Sequence, residues 1–199
     1  MIAQREIPIF RLLAVAALST VLCGCVTVKV GDHQPSLDTV SGLRDSGIAA
    51  LNVGDFKLAR GAKPDMDKGV SARGTPVDPP QGQTFSAYLR NALITDLKSA
   101  GKYDPQSPLS VQGELTANEL HAAGISTASA VLAARFRVMR GDQAVYDKVL
   151  KQEQSWESSF MGAVAIPDAI NHYGAQYAAL LAQLYADTDF RQACSPTTR

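Results

Sequence analysis

The chain has 199 residues, of which 46% are hydrophobic and 19% charged, with 19 basic side chains matched by 19 acidic ones. That is the composition of a globular protein with an ordinary core, not of a disordered one. The balanced charge offers no concentrated basic face, so nucleic acid is not an expected partner.

Arg5 and Arg11 precede an apolar run from Leu12 to Leu22. A bilayer-spanning helix needs about 20 apolar residues, so this run is too short. A charged start, a short apolar core and small residues at the end mark a secretory signal. The run ends in Leu22-Cys23-Gly24-Cys25, which resembles the bacterial lipobox: Leu, a small residue, Gly or Ala, then Cys. Cys23 stands where Ala or Ser is commoner. The resemblance implies cleavage of residues 1–24 and acylation of Cys25 (palmitate among the chains) on its thiol and amine. Each buried methylene contributes about 0.8 kcal/mol, so two or three chains anchor firmly where one would not. The residue after Cys25 is Val26, not Asp. In the enteric sorting rule this points to the outer membrane, with the protein facing the periplasm. Cys23 leaves with the signal and Cys25 carries lipid, so Cys194 is the remaining thiol and no internal disulfide is expected. Cys194 reads as a passive thiol in a frayed tail, 194–199.

The mature chain, roughly 175 residues, is the length of one domain. Residues 25–45 hold Gly31, Asp32, Pro35 and Ser36 with few large apolar groups, as expected of a tether. A first strand follows within 48–58, where Leu51, Val53, Phe56 and Leu58 alternate in part. Arg60 to Gln83 is rich in Gly and Pro and predicts a long irregular loop, either a binding loop or a mobile insertion. Thr84 is an expected N-cap. Phe85, Tyr88, Leu89, Ala92, Leu93 and Leu97 then form the stripe of an amphipathic helix that Gly101 ends. Leu109 to Leu120 and Ile125 to Met139 predict two strands. Arg140-Gly141-Asp142-Gln143 is a tight turn into a fourth strand, Ala144 to Glu157. Both parities of that strand carry apolar and charged groups, so its core face stays open. Pro167 fits the first position of a second helix, with Ile166, Ile170, Tyr173, Tyr177, Leu180, Leu181 and Leu184 on one face to about Ala186. The order is β-α-β-β-β-α. The expected fold is α+β over residues 46–193: a two-layer sandwich with a mostly antiparallel four-stranded sheet and both helices on one face. The first two strands, joined through the helix, pair in parallel.

No catalytic constellation emerges. His33 falls in the tether, His121 in a connection and His172 beside the helical stripe, and no His-x-x-x-His zinc signature is present. Gly124-Ile125-Ser126-Thr127-Ala128 lacks the closing glycine and the strand-to-helix setting of a nucleophile elbow. Asp65 and Asp67 flank Met66 without the remaining acids of a calcium loop. No cofactor or metal is expected. The link from the last strand to the last helix is either a buried corner in which Trp156 and Phe160 cap the core, or an exposed edge that makes Trp156, Phe160 and Met161 the candidate partner-binding residues, since Trp and Met are enriched at interfaces. The Arg60 to Gln83 loop is the other candidate.

The segments Phe85-Ser-Ala-Tyr88-Leu89-Arg-Asn-Ala92-Leu93, Leu97 with Ala100-Gly101, Trp156 through Ile166, and Tyr177 to Phe190 resemble small proteobacterial lipoproteins. The nearest are YajG-like lipoproteins and the auxiliary lipoproteins of ABC-type lipid transporters. The resemblance implies a non-enzymatic, membrane-anchored protein that binds a partner in a cell-envelope assembly or transport complex. The alternative is a carrier of lipid or a small ligand for such a transporter, with an apolar groove between sheet and helices. Peptidoglycan is a weaker candidate partner, because no recognisable wall-binding motif appears.

Overall fold

The computed structural model describes residues 27–80 and 82–196. The signal and Cys25 lie outside the described residues. The elements in chain order are β1 (Val28–Lys29), α1 (Leu37–Asp45), β2 (Asn52–Leu58), a 3-10 turn (Pro64–Asp67), β3 (Val70–Ala72), β4 (Thr75–Asp78) and α2 (Phe85–Ser99). The chain continues through β5 (Leu109–His121), β6 (Thr127–Arg140), β7 (Gln143–Glu157), α3 (Gly162–Ala186) and α4 (Thr188–Ala193). The fold is α+β, as expected, and its principal sheet is mixed: β2 pairs with β5 in parallel, while β5, β6 and β7 form an antiparallel meander.

The core-forming periodicities appear where they were expected. Thr84 caps α2 by accepting from the Ala87 N–H, and Phe85, Tyr88, Leu89, Ala92, Leu93 and Leu97 are all buried. On α3, Tyr173, Tyr177, Leu180, Leu181 and Leu184 are fully buried. The open question on β7 resolves to its even parity, with Tyr146, Leu150 and Trp156 inward. Val149 faces outward with Arg135 and Asp147, whose ion pair lies on the wet face of the sheet. The imperfect alternation of β2 has a structural cause. The register against β5 slips between Val53 and Phe56, a bulge that carries Phe56 across Gly113 toward Phe136. A Cβ on Gly113 would overlap the Phe56 ring, so glycine is required there by close approach.

Four expectations are corrected. Residues 28–45 are not a bare tether. β1 pairs with β4, Ser36 caps α1, and Val30 and Leu43 are buried in the core. His33 Nε2 hydrogen-bonds to the buried Asp96 carboxylate at 2.7 Å, and Asp96 also accepts from the Tyr185 hydroxyl at 2.9 Å, so the N-terminal segment is tied to α2 and α3. The irregular stretch 60–83 contains the 3-10 turn and the β3–β4 hairpin, which with β1 builds a second sheet of order β1-β4-β3. Its strands are three and four residues long and carry Pro76, so their alternation is too short to stand out between Gly and Pro. Pro167 lies inside α3, which begins earlier at Gly162. The bond Pro167 cannot donate would have gone to the Ala163 carbonyl, in the helix's second turn. Cys194 is fully buried rather than frayed. Its carbonyl accepts from the Ala49 N–H at 2.8 Å, and burial pushes its thiol up to about 12.

Candidate functional site

Trp156 is not an exposed interface residue. Its strand parity turns it inward to 9% exposure, and the His172 ring stacks over it at 4.5 Å between centroids. Phe160 and Met161 are exposed at 77% and 63%. They follow the last strand, at the end of the sheet where β5 also turns into β6. The Ser158 N–H donates to the Ser126 carbonyl at 2.9 Å and ties the two connections together. Ile125 of the β5–β6 connection and Val164 of α3 stand out at the same end, at 67% and 53% exposure.

Arg73 holds this end in place, a role with no sequence signal beyond its neighbour Gly74. It occupies the β3–β4 turn with φ of 52°, the left-handed region that non-glycine residues rarely adopt. Its guanidinium donates to the carbonyls of Gly124 and Ser159, both at 2.7 Å, Phe160 at 3.0 Å and Ala122 at 3.2 Å. Nη2 also donates to the Ser158 hydroxyl at 3.3 Å. One cation thus gathers the carbonyls of two loops that are far apart in sequence.

A groove lies beside this clamp. β2 stops against β5 at Leu115, and beyond it the same edge of β5 faces the 61–71 segment across a cavity of about 650 Å³. Met66, Val70, Ala117 and Leu120 give it apolar walls, with Lys63, His121, Asp65 and Glu119 among its polar positions. The Thr116 hydroxyl, buried in its lining, has no hydrogen-bond partner among the described residues. The groove floor is braced from below. Asn118 donates to the Met66 carbonyl at 2.7 Å and accepts from the Tyr173 hydroxyl at 2.7 Å, and Tyr173 meets Tyr177 at 3.0 Å. Burial pushes both tyrosine hydroxyls well above their ordinary range, so they stay protonated and serve as hydrogen-bond donors. Asp67 accepts from the Ser86 N–H at 2.6 Å and its hydroxyl at 2.9 Å, which pins the 61–71 segment to the start of α2.

The other singled-out residues do not assemble. His121 pairs with Glu119 at the surface, His172 covers Trp156, and Ser126 offers its carbonyl to Ser158. Among the described residues, no three His, Cys, Asp or Glu side chains form a group that could hold a metal ion. No described helix is long and apolar enough to cross a membrane.

No family model matches the chain, and no curated protein sequence matches it. Solved structures do resemble it. A Xanthomonas campestris protein of the DUF330 family aligns with 84% of this chain and 96% of its own, at 13% identity and a TM-score of 0.55. A candidate lipoprotein of Caulobacter crescentus aligns with 78% of this chain and 95% of its own, at 11% identity and a TM-score of 0.44. A hypothetical protein of Chlamydia trachomatis aligns with 69% of this chain and 96% of its own, at 13% identity and a TM-score of 0.39. At 13% identity the likeness to the Xanthomonas campestris protein is one of fold.

Proposed function

We propose that this chain is a non-enzymatic lipoprotein, anchored through acylated Cys25 in the outer membrane and facing the periplasm. Its domain engages a protein partner in an envelope assembly or transport complex. The groove along the open edge of β5 carries the partner-binding part of the reading. An extended segment laid there can bond to the edge backbone and place side chains against Met66, Val70 and Leu120. This takes the binding-loop alternative for the 60–83 stretch. The anchor rests on Leu22-Cys23-Gly24-Cys25, and outer-membrane sorting on Val26. The His33–Asp96–Tyr185 cluster has the residue types of an acid–base site, but the His33 and Asp96 side chains are closed off in the core, where they brace the fold.

A carrier of lipid or small ligand is the second reading. The layer between sheet and helices is filled by Phe85, Tyr173 and Tyr177, packed ring against ring. A ligand would therefore take the same 61–71 groove, against Met66, Val70 and Leu120.

The test is a photo-crosslinking amino acid in place of Ser71 at the groove rim or Val149 on the outer sheet face, in cells making the full chain. A discrete protein adduct from position 71 and none from 149 is the expected result. Equal yields from both positions, or none from 71, would overturn the partner site. Native mass spectrometry showing a bound small molecule would favour the carrier reading.

A further inference from the structure

Six large apolar side chains stand out in solvent among the described residues, and four of them, Ile125, Phe160, Met161 and Val164, share one end of the molecule. The chain is uncharged from Ser158 to Pro167 and from Ala122 to Ala134. The four side chains form an uncharged apolar patch bordered by Glu157 and Asp168, and Arg73 spends its donors inward on the loop carbonyls beneath it.

The N-terminal segment leaves the fold toward this same end. β4 starts at the Arg73–Gly74 turn, and β1 runs parallel to it with Val28 opposite Val77 and Lys29 opposite Asp78. Followed backwards from Val28, the chain therefore heads for that turn. A second measure agrees. Val30 lies against Gly174, twelve residues into α3, which at 1.5 Å per residue is about 18 Å from its start beside Met161. Cys25 precedes Val30 by five residues, a reach of at most about 18 Å. It also lies within about 7 Å of Thr27, the first described residue.

We infer that the Ile125–Phe160–Met161–Val164 end is a membrane-seating surface. These side chains enter the lipid interface beside the acyl chains of Cys25 and fix the domain's orientation on the bilayer. The inference rests on the lipoprotein reading. The occupant is lipid because the anchor delivers the bilayer to this end. The contact is apolar rather than electrostatic, since the patch has no cationic rim of the kind that recognises anionic headgroups. Seated this way, the 61–71 groove lies along the flank and stays open to a periplasmic partner.

The test uses the full acylated chain, purified from membranes and reconstituted in phosphatidylcholine vesicles. Phe160→Cys and Val149→Cys variants carry a nitroxide. Cys194 is buried and takes no label, and both substitutions are at exposed sites. The expected result is that the label at 160 becomes accessible to oxygen and loses collisions with a water-soluble nickel chelate, while the label at 149 keeps them. Equal nickel accessibility at both positions would overturn the inference. Intact mass of the same samples separates the two failures. If Cys25 carries no lipid, the lipoprotein reading fails and this inference falls with it. If Cys25 is acylated and both labels stay in water, the seating surface alone is wrong.

Discussion

Replacing Arg73 by Ala tests how the two loops at the apolar end are held. The guanidinium makes five hydrogen bonds, and two of them, to Gly124 and Ser159, are 2.7 Å long. A hydrogen bond to a charged group is worth about 1.5 kcal/mol at the low end, which suits a half-buried side chain, so these two alone give about 3 kcal/mol. For a body of this size that corresponds to a fall in Tm of roughly 6–12 °C. The backbone adds a second, separable effect. At φ of 52° a Cβ costs about 1 kcal/mol that glycine does not incur. Arg73→Gly should therefore be about 1 kcal/mol more stable than Arg73→Ala, although both lose the clamp. Urea denaturation measures the stabilities, and amide hydrogen exchange across 122–126 and 158–162 locates the loss. Faster exchange confined to those two segments is expected. Arg73→Ala within about 1 kcal/mol of wild type, with unchanged exchange there, would refute the clamp.

Three further outcomes follow from the packing. Gly113→Ala should destabilise by about 1–3 kcal/mol because the Phe56 ring occupies the space, and Phe56→Ala in the same chain should absorb most of that penalty in a double-mutant cycle. Burial pushes the Cys194 thiol up to about 12, so native protein should resist alkylation at pH 8 and react once unfolded; ready native alkylation would restore the frayed tail. Burial raises the Asp187 carboxyl, but the Lys148 ammonium and the N–H groups of Phe190 and Asp189 outweigh it and leave the group below its ordinary 3.8. A lowered folded value stabilises above the unfolded one and is lost as pH falls through it. The advantage of wild type over Asp187→Ala, about 1 kcal/mol for a lost N-cap, should be full at pH 7, begin to shrink near the ordinary 3.8 and fall away as pH drops through the lower folded value, as read by denaturation at each pH.

The sequence by itself determined the elements whose signal is local. The stripes of α2 and α3, the Thr84 cap and the hairpin at Arg140-Gly141-Asp142-Gln143 each lie within one short window, where periodicity and turn chemistry act. The α+β class followed from their order. Only the tertiary structure decided features that join distant windows. Val28 and Lys29 are too few to show a period, and they become a strand because β4 offers them an edge. His33 carries no motif, and Asp96, 63 residues away, gives it a partner. Trp156 and Phe160 belong to one aromatic-rich run, yet strand parity buries the first while the turn after it exposes the second. Arg73 is unremarkable in sequence because its acceptors are backbone carbonyls, which every residue has. Their convergence on one guanidinium comes from the meeting of three loops in space.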